Sequence, residues 1–134
     1  MEFKVSTNNG RVPITIVHLT GNLDSYTSNE FQAKVEELIK RGARHILVDL
    51  TNVPFVSSAG FRVLNSVFNQ LRSLHPDSNL SKEDIHKGIS EGTYTSPHLK
   101  LLNLSTEAKH AFETAGFDMY IEAFTDLKTA VAAF

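Results

Sequence analysis

Cysteine is absent from the 134 residues. Its absence excludes a disulfide framework, thiolate nucleophiles and cysteine-held metal, and suits a reducing compartment such as the cytoplasm. No lysine- or arginine-rich run occurs, and the formal net charge is −2, so the electrostatic footprint of a nucleic-acid binder is missing. No apolar stretch approaches the roughly 18 residues of a membrane span. The start, Met1-Glu2-Phe3-Lys4, lacks the charged-then-apolar profile of a secretory signal. The expectation is a soluble, cytoplasmic protein with neither a membrane nor a direct nucleic-acid partner.

Catalytic and metal signatures are missing as well. The six histidines, at positions 18, 45, 75, 86, 98 and 110, form no His-x-x-x-His or His-Glu-x-x-His spacing. They are expected to be scattered surface residues with no metal. Ser58 has Val56, not glycine, two residues before it, so the Gly-x-Ser-x-Gly elbow of a hydrolase is incomplete. Neither a Gly-x-x-x-x-Gly-Lys phosphate loop nor a Gly-x-Gly-x-x-Gly fingerprint occurs. Glu36-Glu37 and Glu83-Asp84 are expected to be solvated helix surface. No catalytic activity and no cofactor are expected.

What is present is the make-up of one globular domain. Hydrophobic residues are 41% and charged residues 21% of the chain, and the length suffices to bury a proper core. Phe3 and Val5 alternate with polar residues ahead of Asn8-Asn9-Gly10, and Ile14 to Leu19 is β-branched, which predicts two strands joined by a hairpin turn. Phe31, Val35, Leu38 and Ile39 recur at helical spacing, with Lys40, Arg41 and Gly42 as stop signals. The apolar run Ile46 to Leu50 predicts a strand buried on both faces. Phe61, Leu64, Val67, Phe68, Leu71 and Leu74 predict a long amphipathic helix with Ser58 as its N-cap.

Residues 75–97, with Pro76, Gly88, Gly92 and Pro97, have the character of an insertion, in which Ser81-Lys82-Glu83-Asp84 starts a short helix. Leu99 to Leu104 predicts a strand. A helix carrying Ala108, Ala111, Phe112 and Ala115 follows, stopped by Gly116. Met119 to Phe124 predicts the last strand, and Leu127, Ala130, Val131 and Phe134 a final helix capped by Thr125. The alternation implies an α/β fold: a mixed sheet of about five strands with four main helices, in a single domain.

Three stretches together resemble the STAS family of anti-sigma factor antagonists. They are Thr20-Gly21-Asn22-Leu23-Asp24-Ser25, the strand-loop-helix segment from Val48 to Phe61 that contains Val56-Ser57-Ser58-Ala59-Gly60, and the ending that begins Ala115-Gly116-Phe117. The resemblance covers nearly the whole chain except 75–97. It implies binding to an anti-sigma factor of the serine-kinase type. It also implies phosphorylation at the start of the helix after the third strand, reset by a protein phosphatase, and control of transcription through sigma factor release. Carried over by position, the acceptor is Ser58, with Ser57 as the alternative. Many family members have aspartate before the acceptor and serine or threonine after it; here Ser57 and Ala59 stand in those places. The implied partner-binding residues are Asn22, Asp24, Ser57, Ser58, Ala59 and Gly60. Alternative readings within the family are an unphosphorylated scaffold or sensor, or a nucleotide- or lipid-binding module.

The residue chemistry agrees with that placement. A helix N-terminus presents unpaired N–H groups and partial positive charge, which suit a phosphate. A phosphoserine there adds close to two negative charges to a binding surface. Gly60, without a side chain, is expected to let a partner or its nucleotide approach the helix end. Asp24 either helps to position a kinase's metal or caps the next helix; for Asn22 and Thr27 capping is the expectation. Asp49, at a strand end, is expected to be structural and outside the site.

Overall fold

β1 (Glu2–Asn9) and β2 (Pro13–Thr20) form an antiparallel hairpin turned at Gly10, in the register Phe3↔Leu19 and Val5↔Val17. This computed structural model describes residues 1–74, 89 and 95–134. From β2 the sheet continues in parallel through β3 (Ile46–Asn52), β4 (Leu99–Leu102) and β5 (Glu122–Phe124), in the spatial order β1-β2-β3-β4-β5. Helices α1 (Ser28–Lys40), α2 (Ser58–Ser73), α3 (Thr106–Thr114) and α4 (Leu127–Ala132) and a 3-10 turn at Phe117–Met119 accompany the sheet.

The period-two alternation of the strands divides two cores. Val17, Leu19, Ile46, Val48, Leu50, Leu99 and Leu101 face α1, α2 and α3, meeting Phe31, Val35, Phe61, Leu64, Val67 and Phe112. Ile14, Ile16, Leu47 and Leu102 face the other way, onto Ala130 of α4 with Val131 and Phe134 beside it. The apolar run of β3 is thus buried on both faces, as expected. Each such side chain removed from water is worth ~1.5–3 kcal/mol. α1 ends as its sequence signals, with Gly42 at φ +105, a left-handed backbone that favours glycine.

The expected elements are present, with adjusted ends. β4 stops at Leu102 rather than Leu104, because Asn103 takes a left-handed φ of 57° and turns the chain. Met119 is not in the last strand: Phe117–Met119 form a 3-10 turn, and β5 begins at Glu122. The cap of α4 is Asp126, whose carboxylate accepts the Thr129 N–H at 2.9 Å, and not Thr125. The helix start expected at Ser81-Lys82-Glu83-Asp84 lies outside the described residues. Within the segment expected to be an insertion, Ser96 is described. It is buried, and its N–H donates to the Tyr120 carbonyl at 2.7 Å.

A buried charge lies between β4 and β5. Lys100 is 2% exposed; its Nζ donates to Glu122 Oε1 at 2.7 Å and to the Ser96 carbonyl at 3.2 Å. The ammonium stands 5.9 Å from the Phe124 ring centre and 5.5 Å from that of Phe134. It therefore ties the chain's end to the sheet by cation–π attraction as well as by the ion pair.

Candidate functional site

Parallel strands align their carboxyl ends, and the loops that leave them there form the usual place for function in α/β folds. The loops after β2 and β3 are held side by side at that end. Leu23 bridges Val56; the Leu23 N–H donates to the Phe55 carbonyl at 3.0 Å, and the Ser57 N–H donates back to the Leu23 carbonyl at 2.9 Å. Below them, the Gly21 N–H donates to the Asn52 carbonyl at 3.1 Å. From the other side, Ser105 Oγ donates to the Pro54 carbonyl at 3.2 Å while capping α3.

Ser57, not Ser58, is the N-cap of α2. Its extended backbone (φ −84°, ψ 175°) lets Oγ accept from the Gly60 N–H at 3.3 Å. Ser58 becomes the first helical residue instead. It is exposed, and among the described residues its hydroxyl has no partner. The N–H groups of Ser58 and Ala59 have no place in the helix's own ladder. Two adjacent serines thus take different tasks, one holding the helix end and the other open to solvent.

Gly60 also differs from its expected role. It is buried, and a Cβ built on it would lie 2.6 Å from the Leu23 carbonyl oxygen and 2.8 Å from Val56 Cγ1. The close approach that glycine permits is made by the chain's own neighbouring loop. Ala59, beside it, is half-buried.

Asp24 does not cap α1 from the N-cap position, which Thr27 occupies without a side-chain cap bond. Asp24 Oδ1 instead accepts from the N–H groups of Tyr26 at 2.9 Å and Thr27 at 3.2 Å. The Thr27 hydroxyl donates back to the Asn22 carbonyl at 2.8 Å. This Asx-type turn sets the loop beside Val56–Ser57 and leaves the Asn22 side chain and Tyr26 exposed, Tyr26 by 89%.

Sequence pattern did not indicate the groove beside Ser58. A cavity of about 530 Å³ runs between α2 and α3, walled by Phe55, Phe61, Phe117, Ala111 and Ala115. Ser57, Ser58 and Arg62 stand at its polar margin. Ala111 and Ala115 share the period of Phe112 yet are exposed, because α3 turns this edge to the groove rather than to the sheet. The one local signal was an aromatic residue, Phe55, in a loop where polar residues are usual; it is 50% exposed.

On the opposite face of the sheet a second polar cluster crosses β1, β2 and β3. Ser6 Oγ lies 2.8 Å from His18 Nε2, and His18 Nδ1 lies 2.7 Å from Asp49 Oδ2. Thr51 engages the other carboxylate oxygen through its N–H at 3.0 Å and through its hydroxyl. Burial pushes the Asp49 carboxyl up, but the donors from Thr51 and His18 together outweigh it and hold the group below its ordinary 3.8. His18 is thus a partnered, one-third-exposed residue within a row and not an isolated surface histidine. Among the described residues, no three His, Asp or Glu side chains are grouped to hold a metal ion. No described helix is long and apolar enough to cross a membrane.

Comparison with known proteins places this geometry in context. The model of the STAS domain matches residues 5–77, more than half of the chain. The candidate anti-sigma factor antagonist BtrV of Bordetella bronchiseptica is 25% identical over 119 residues, covering 89% of this chain and 84% of that protein. A candidate anti-sigma factor antagonist from Thermotoga maritima shares the fold at a TM-score of 0.71 and 13% identity, over 96% of this chain and 90% of that one. The Bacillus cell fate determinant SpoIIAA, solved in its phosphorylated form, matches at a TM-score of 0.62 and 17% identity, over 97% and 96%.

Proposed function

The chain belongs to the STAS domain family, and on that premise we propose that it is an anti-sigma factor antagonist switched by phosphorylation of Ser58. Its partner is a serine-kinase-type anti-sigma factor, bound in the cytoplasm through the paired loops at Asn22–Asp24 and Ser57–Gly60. A phosphatase restores the binding form, and release of the sigma factor regulates transcription. The switch itself works by binding and needs no catalysis by this chain.

The observation that carries the reading is the division of labour between the two serines. Ser58 is exposed and uncommitted at the first position of α2, while Ser57 supplies the cap bond. A phosphate on Ser58 therefore costs the helix no cap, and it sits where the helix dipole favours an anion. Arg62, one turn on along the same helix flank, borders the same groove. The phosphate's charge beside the apolar walls of Phe55 and Phe61 would oppose docking by repulsion and desolvation. Two further supports are the kinship with BtrV and the shared fold of SpoIIAA, a protein solved with phosphate attached.

The test is incubation with the cognate anti-sigma factor and ATP, followed by peptide mass spectrometry. The expected result is one phosphate, on Ser58, that is lost in Ser58→Ala. Phosphate on Ser57 alone would move the switch to the cap. None on either serine would refute switching, and equal partner binding by Ser58→Asp and wild type would then favour the scaffold reading.

A further inference from the structure

We propose that Ser6, His18 and Asp49 form a reactive serine site that accepts a small acyl group from an activated ester, separate from the loops around Ser58. Ser6 Oγ stands 2.8 Å from His18 Nε2, and His18 Nδ1 stands 2.7 Å from Asp49 Oδ2. The protons follow from the partners. An ionised carboxylate only accepts, so Nδ1 carries the imidazole hydrogen and donates to Asp49. With its one ring hydrogen on Nδ1, the imidazole keeps a lone pair on Nε2 for the Ser6 hydroxyl proton. A nucleophile on a base that is oriented by a third group is the arrangement that activates serine.

The scaffold holds the three groups in place. They sit on adjacent strands of one sheet, with Lys4 and Asp49 as the register partners of His18 on either side. Asp49 is fixed further by two donors from Thr51, and the Thr51 hydroxyl accepts from Asn103 Nδ2 at 2.9 Å. α4 packs over Ile14, Ile16, Leu47 and Leu102. A cavity of about 330 Å³ lies on the His18 side of the row, lined by Glu2, Lys4, His18, Thr20, Asp49 and Asn52; Ser6 is not among its walls, so an ester reaches Oγ from its rim.

The step balances without a cofactor. The Ser6 Oγ–H bond breaks, its proton passes to His18 Nε2, and Oγ bonds to the acyl carbon. The tetrahedral oxyanion collapses by breaking the bond to the leaving oxygen, which takes the proton from His18 Nε2. Water, activated in the same way, later releases the acid. Lys4, the register partner of His18 on β1, supplies the cation on that side of the row. Ser6 is the nucleophile, His18 the base and Asp49 a positioning residue.

The test uses the full chain with p-nitrophenyl acetate, and in parallel a fluorophosphonate, read by intact mass and peptide mapping. A single adduct on Ser6 is expected, absent in Ser6→Ala and unchanged in Ser58→Ala. His18→Gln, shown to be folded by circular dichroism, is expected to slow labelling by about tenfold or more. Asp49→Asn is expected to slow it and to displace the pH–rate profile, which a purely structural residue would not do. An adduct only on Lys4 or His18, no adduct at all, or unchanged labelling in folded His18→Gln would overturn the proposal.

Discussion

Replacing Gly60 with alanine tests the clamp between the two loops, because the sign of its effect runs against helix propensity. In an ordinary helix interior, glycine to alanine gains up to ~1 kcal/mol. At Gly60 the new Cβ would lie 2.6 Å from the Leu23 carbonyl oxygen, 2.8 Å from Val56 Cγ1 and 3.0 Å from Leu23 Cγ. Real Cβ contacts to such atoms begin near 3.0 Å, so the β2–α1 loop must retreat by roughly half an ångström. The same carbonyl accepts the Ser57 N–H at 2.9 Å, so the retreat strains a bond worth ~0.5–1.5 kcal/mol. With overpacking at ~1–3 kcal/mol and the propensity gain subtracted, Gly60→Ala should destabilise the fold by about 1–3 kcal/mol. For a domain of this size that lowers Tm by roughly 4–12 °C.

Exposed Asn69, inside the same helix, provides the control. There the alanine variant should exceed the glycine variant by ~1 kcal/mol. Urea melts of the four proteins measure both differences. Equal or higher stability of Gly60→Ala over wild type would refute the clamp.

Three further outcomes are expected. Ser57→Ala should cost ~1 kcal/mol in urea unfolding through the lost cap, while Ser58→Ala stays within ~0.5 kcal/mol; the reverse order would make Ser58 the cap. Glu122→Gln, which strips Lys100 of its anionic partner, should cost ~1–3 kcal/mol, whereas the double change Lys100→Met with Glu122→Gln should recover most of that loss; stability readings that simply add would contradict the coupling. Asp49 is held below 3.8 when folded, so its contribution is present above that value and is lost as pH falls through the folded one. Wild type should therefore lose stability below pH 3.8 more steeply than Asp49→Asn, and parallel acid profiles would remove the linkage.

Much of the architecture was legible because it depends on periodicity. The run Ile46 to Leu50, the spacing of Phe61 through Leu71, and Gly42 and Gly116 as helix stops are local signals that tertiary packing reinforces. The stretch Val56-Ser57-Ser58-Ala59-Gly60 was expected at the start of the helix after the third strand, and α2 begins there. Which serine caps was not legible, since both are good N-caps and the choice depends on where the backbone leaves the extended region. Gly60 was misjudged because the neighbour it accommodates, Leu23, lies far away in sequence and reaches it only through the parallel pairing of the loops. The Ser6–His18–Asp49 row was invisible for the same reason: its members lie on three different strands, and only the sheet register unites them. Ala111 and Ala115 share the spacing of buried Phe112, and spacing alone does not tell a core position from the wall of a groove.

Calorimetric titration of the cognate anti-sigma factor tests most directly the proposal that Ser58 switches a binding surface. It should be run with unmodified protein and with protein phosphorylated on Ser58 and verified by mass. The prediction is binding by the unmodified form and at least a tenfold loss on phosphorylation, about 1.4 kcal/mol or more. Equal affinity of the two forms would contradict it.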